Sequence, residues 1–70
     1  MKTGMLWFDS GERSLQEKIM RAAAHYRQKY GHSATVCYVN PSETLTPNLP
    51  LRVEYSATVL KNHYWLGVDI

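Results

Sequence analysis

Three histidines and one cysteine, His25, His32, His63 and Cys37, supply enough nitrogen and sulfur for a tetrahedral zinc site. Their spacing fits none of the usual paired patterns. A helix end falls between His25 and His32, and Cys37 sits in a strand-like run where a lone thiol is more often a small buried hydrophobe. A Cys37–His63 nucleophile pair would need an exposed, electropositive thiol beside the imidazole, and neither condition is written in the sequence. The carboxylates Asp9, Glu12, Glu43, Glu54 and Asp69 are scattered, and only joint burial would tune two of them for acid–base work. Glu12 and Glu17 read as favourable charges near a helix start; Asp9 reads as a cap or turn residue. The four glycines form no phosphate-cradling loop. No catalytic residue, metal site or cofactor is therefore expected. An enzyme with residues 40–50 as a lid is the weakest of three readings.

Two surface signals remain. Lys18, Arg21, His25 and Lys29 share one flank of a helix beside its apolar face. Such a flank suits phosphate contacts, although a helical charge run is more often a solvated face. Trp65 alternates against the apolar positions of its strand, so it is expected on the sheet face away from the helix, with Cys37 and Thr58 as neighbours. One of Trp7 and Phe8 is expected there too, with Arg52 and Glu54 on the rim. A tryptophan on an open sheet face anchors a protein interface or stacks on a base.

The elements that must position these residues begin with a helix over residues 14–30. Ser14 and Glu17 fit a capping box. Leu15, Ile19, Ala22, Ala23, Tyr26 and Tyr30 fall within about 100° on the wheel, and Gly31 supplies the stop. Residues 3–8 read as a first strand. The apolar run of Met5, Leu6, Trp7 and Phe8 suits a central position, the alternative being an edge covered by a second copy. Residues 34–39 read as a second strand. Residues 40–50, with Pro41, Pro47 and Pro50, form a long patternless connector. Residues 51–60 and 64–70 alternate as a hairpin about a turn at Lys61, Asn62 and His63.

The sum is a small two-layer α+β domain of order β-α-β-β-β, with one helix on one face of a mixed three- to four-stranded sheet. Seventy residues, 44% hydrophobic and 20% charged, make a single globular domain over 1–70 with a small core. One cysteine forbids an internal disulfide, which leaves self-association as the natural way to bury more surface. A net charge of +2 is too mild for a committed nucleic-acid binder. The short apolar run after Lys2 suits neither a signal peptide nor a membrane span, so a cytoplasmic, reduced setting is expected.

The run Leu6, Trp7, Phe8, Asp9, then Lys18, Ile19, Ala23, Tyr26, Lys29, Tyr30 and Gly31, resembles a group of short uncharacterised bacterial proteins. The closing run from His63 to Val68 carries a fainter echo. The resemblance implies a bacterial origin and a stand-alone small domain, and nothing about chemistry. The expected function is a non-enzymatic protein-interaction module, a homo-oligomer with a dimer first, associating through the uncovered sheet face or an edge strand. A different protein is the other possible partner, and no membrane is expected. The alternative is a weak nucleic-acid binder using Lys18, Arg21, His25 and Lys29.

Overall fold

The computed structural model describes residues 4–43 and 49–68. It contains β1 (Gly4–Phe8), α1 (Leu15–Tyr30), β2 (Val36–Val39), β3 (Arg52–Tyr55) and β4 (His63–Gly67). One helix covers one face of a four-stranded mixed sheet, the expected α+β architecture.

The helix starts and stops where its residues dictate. Ser14 is the N-cap, and its hydroxyl accepts from the Glu17 N–H at 3.2 Å. Gly31 takes φ 77°, and its N–H reaches the Arg27 carbonyl at 2.8 Å. Ile19, Ala22 and Tyr26 are buried, with Leu15 and Ala23 packed beside them. Tyr30, expected on the same face, is partly exposed and sets its hydroxyl 3.5 Å from the Gly4 carbonyl.

The sheet order is β1-β4-β2-β3. β4 runs antiparallel to both β1 and β2, and β2 pairs with β3 in parallel. Two expectations are corrected here. Residues 51–60 and 64–70 do not form a hairpin, because β4 leaves β3 and inserts between β1 and β2. β1, expected in the centre, lies at an edge. β1, α1 and β2 therefore form a split β-α-β unit with β4 in the gap. The composition of the strands explains where β4 and β3 go. β4 buries Tyr64 and Leu66 completely and suits a central place, whereas β3 carries Arg52 and Glu54 and suits an edge.

β3 is also shorter than expected. Beyond Tyr55 the Ser56 and Thr58 hydroxyls bond each other at 2.8 Å, and the Val59 N–H turns back to the Ser56 carbonyl at 3.1 Å. Side-chain hydroxyls that bond locally offer the backbone an alternative to the ladder. Asn62, at φ 63°, then turns the chain into β4 as expected. The long connector over residues 40–50 has a topological cause: parallel partners need a return of about a dozen residues. Residues 44–48 of it lie outside the described residues, as do Thr3, Asp69 and Ile70.

Alternation divides the sheet. Met5, Cys37, Val39, Tyr64 and Leu66 join the helix in the core, with Trp7, Val53 and Val68 packed against it. The residues next to these along each strand face the open side. There the register aligns Leu6, Trp65, Tyr38 and Glu54 in one row across all four strands.

Gly4 meets this row closely. A Cβ built there would stand 2.7 Å from the Leu66 carbonyl oxygen and from two carbons of the Trp65 ring. Gly4→Ala is expected to cost about 1–3 kcal/mol, since backbone cannot give way as a flexible side chain does. Urea unfolding checks this, and an unchanged midpoint would contradict the packing described.

Candidate functional site

The open face carries a groove of about 540 Å³ lined by Leu6, Tyr38, Ser56, Thr58, Val59, Leu60, His63 and Trp65. One side of it is the sheet row; the other is the stretch from Ser56 to Leu60. That stretch is tied down along its length. Ser56 N–H bonds the Val39 carbonyl at 2.9 Å, the Asn40 side-chain amide bonds the Val59 carbonyl at 2.8 Å, and the His63 N–H bonds the Leu60 carbonyl at 3.1 Å. Beside the groove Phe8 packs on His63, with ring centroids 4.9 Å apart. Leu6, Phe8 and Leu60 are 56%, 58% and 67% exposed, which makes this rim the most apolar open surface among the described residues.

Trp65 therefore lies on the face expected of it, with Thr58 beside it in the groove. Cys37 does not: it is buried in the core on the helix side, and Tyr38 takes the place next to Trp65. Of the two aromatic candidates in β1, Phe8 is on the open face. Trp7 turns under the helix and stacks on His25, centroids 4.2 Å apart and planes 25° apart. Arg52 and Glu54 pair at 2.9 Å on the open side of β3. They stand at the edge of the sheet opposite Leu6 and Phe8, so the candidates span the full width of the face.

Leu6, Tyr38 and Leu60 were not singled out from sequence. The signal was present for Leu6, since a strand with four consecutive apolar residues must send alternate ones to each face; Tyr38 was hidden because placing Cys37 on the open face sends Tyr38 to the core.

The basic flank is present on α1. Arg21, His25 and Lys29 are exposed and Lys18 is half-buried. The Lys29 ammonium sits 5.3 Å from the Tyr30 ring centroid. The flank lies on the helix layer and Trp65 on the other side of the sheet, so the two do not form one surface.

The remaining candidates disperse. Asp9 is a turn residue whose carboxylate accepts from the Gly11 N–H at 2.9 Å. His32 meets Tyr26 edge-on, His25 belongs to Trp7, and His63 points its Nδ1 at the Lys61 carbonyl at 2.8 Å. Among the described residues no three His, Cys, Asp or Glu side chains gather closely enough to hold a metal ion. No helix there is long and apolar enough to cross a membrane. No protein-family model, curated protein or solved structure matches the chain.

Two core groups have displaced titration. Burial pushes the Cys37 thiol up from 9.0 to about 12. Burial first, and then the negative charges of Glu43, Asp9 and Cys37, push the Tyr64 phenol up from 10.0 to about 12. The Tyr64 hydroxyl is buried and has no hydrogen-bond partner among the described residues. Both groups are neutral in the fold and ionise first in the unfolded chain. Their contribution to stability is thus complete below about pH 9 and is lost as pH rises toward about 12. Tyr64→Phe removes a hydroxyl with no hydrogen-bond partner among the described residues, so it is expected to cost less than about 1 kcal/mol at neutral pH. It should also flatten the alkaline loss of stability. Thermal melts from pH 7 upward check both, and an equally steep alkaline limb in the variant would contradict the assignment.

Proposed function

We propose that the protein is a non-enzymatic interaction module that self-associates through the edge of β1, with Leu6 and Phe8 meeting a second copy. The observation that carries this reading is a conflict between the strand and its place. β1 reads Gly-Met-Leu-Trp-Phe, with no charge and no proline, yet it is an edge strand. Edges of stable monomers are usually guarded by charges, prolines, bulges or a covering segment. The other edge is guarded in this way: β3 carries the Arg52–Glu54 pair on its open side and follows Pro50.

The backbone supports the same reading. The Asp9 N–H bonds the Asn62 carbonyl at 2.9 Å, continuing the β1–β4 ladder. By antiparallel alternation Met5 and Trp7 share that phase, so the N–H and C=O groups of Leu6 and Phe8 point away from β4. A second copy pairing antiparallel about Leu6 bonds those groups and sets Phe8 opposite Gly4 of its mate. The sheet then continues from one copy to the other. Trp65, Arg52 and Glu54 stay on the open face of the joined sheet.

A nucleic-acid reading would draw its phosphate contacts from the helix flank of Lys18, Arg21 and Lys29, which lies on the other side of the sheet from Trp65, and its binding would fall steeply as salt rises.

Leu6→Lys places a guard on the free edge at a side chain already more than half exposed. Native mass spectrometry of the untagged chain should give a dimer, and the variant a folded monomer whose melting point no longer depends on protein concentration. A monomeric wild-type chain, or a variant that stays dimeric, would overturn the proposal.

A further inference from the structure

The groove on the open face shares Leu6 with the edge of β1, while its other lining residues lie on β2, β4 and the stretch from Ser56 to His63. Its volume falls within the range of small-molecule sites, on the order of 300–1,000 Å³. Its chemistry is specific in three respects.

The first is an aromatic surface. Trp65 and Tyr38 are direct cross-strand neighbours on the two central strands, flanked by Leu6 and by Val59 and Leu60. Gly4 lets the Trp65 ring settle against the sheet, since any Cβ there would push it off. Flat rings stack on such a platform whatever their substituents, because every base has a π-face.

The second is a pattern of hydrogen-bonding groups with fixed sense. A carbonyl only accepts, so His63 Nδ1, 2.8 Å from the Lys61 oxygen, carries the proton. The nitrogen left to a ligand is Nε2, an acceptor. Ser56 and Thr58 share one hydrogen bond at 2.8 Å, which uses one hydroxyl hydrogen and leaves the other as a donor. Among its polar groups the groove thus offers an acceptor on His63 and a donor on the Ser56–Thr58 pair, beside an aromatic surface whose Tyr38 and Trp65 carry polar groups of their own.

The third is charge. None of the lining residues is Asp, Glu, Lys or Arg, and the charged pair on the same face, Arg52 with Glu54, is mutually neutralised. An uncharged ligand fits this lining, whereas a phosphorylated one finds no cation in it.

From these we infer that the groove is a binding site for an uncharged planar heteroaromatic molecule of nucleoside type. Its ring stacks on Trp65 and Tyr38, a ring or exocyclic N–H donates to His63 Nε2, and a ring nitrogen or carbonyl accepts from the Ser56–Thr58 hydroxyl pair.

The test is an amide and indole N–H NMR titration of the full chain with adenosine, guanosine, cytidine and uridine, and with toluene as an apolar control. At least one nucleoside should move the Trp65 indole signal and the amides of Thr58 and Leu60 at millimolar concentration or below, with toluene weaker. His63→Phe keeps the contact with Phe8 but removes the acceptor, and should weaken that nucleoside about tenfold, the worth of one hydrogen bond to a buried edge. Ser56→Ala, which removes one hydroxyl of the pair, gives a second reading if His63→Phe fails to fold. No shift at these residues with any nucleoside would overturn the proposal. So would toluene binding as tightly as the nucleosides, or a nucleoside affinity unmoved by either variant. Tighter, salt-dependent binding of the corresponding monophosphate would also overturn it, since that would mean a charged surface is being read instead.

Discussion

A single helix must hold four strands, and it does so by lying over the centre of the sheet, where β4 and β2 turn their buried side chains toward it. Ile19, Ala22 and Tyr26 bury against a layer that includes Tyr64 and Leu66 of β4 and Cys37 and Val39 of β2. Each large side chain fully buried there contributes about 1.5–3 kcal/mol, and Ala22 keeps the approach close. The helix is too narrow to cover β1 and β3 as completely as the central pair. Everything else about the molecule, including the exposed edge and the open aromatic face, is what remains once this contact has been satisfied.

That remainder is divided unevenly. One margin of the sheet ends in an ion pair that neutralises itself, and the other ends in leucine and phenylalanine. The asymmetry matters because buried apolar surface is scarce in a chain of this length. A guarded margin keeps strands of other molecules away, while an unguarded one invites a strand. The two proposals meet at Leu6: one uses the free backbone edge of β1, and the other uses the side chains that β1, β2, β4 and the stretch from Ser56 to Leu60 turn to the open face.

The helix was legible in the sequence because its signals are local: a Ser cap, an apolar stripe and a glycine stop all act within a few residues. Alternation in the last strand was equally legible and put Trp65 on the correct face. Strand order was not. Residues 51–60 and 64–70 look like a hairpin, and nothing local in them reveals that the second strand leaves the first to sit between β1 and β2. That choice rests on burial summed over the whole sheet. The Ser56–Thr58 hydroxyl pair that ends β3 early was available in the sequence but was masked by a regular apolar alternation. Cys37 went to the opposite face from the one expected because the face of a strand residue depends on how the strand is docked, and a one-residue difference in register reverses it. The groove was hidden for a further reason, since it joins residues from three separate strands and a turn.

The position of β4 has a consequence for how the chain reaches this state. β1 and β2 touch only through β4, which is the last of the five elements in chain order. During synthesis the first strand, the helix and the parallel pair therefore wait, with their apolar sides open, until residues 63–67 have left the ribosome. Closing that gap brings together segments separated by most of the chain, so the loop-entropy cost comes late and all at once. A nascent chain of this kind is exposed longest at the strand least protected by charge, and its fate is decided by the arrival of β4.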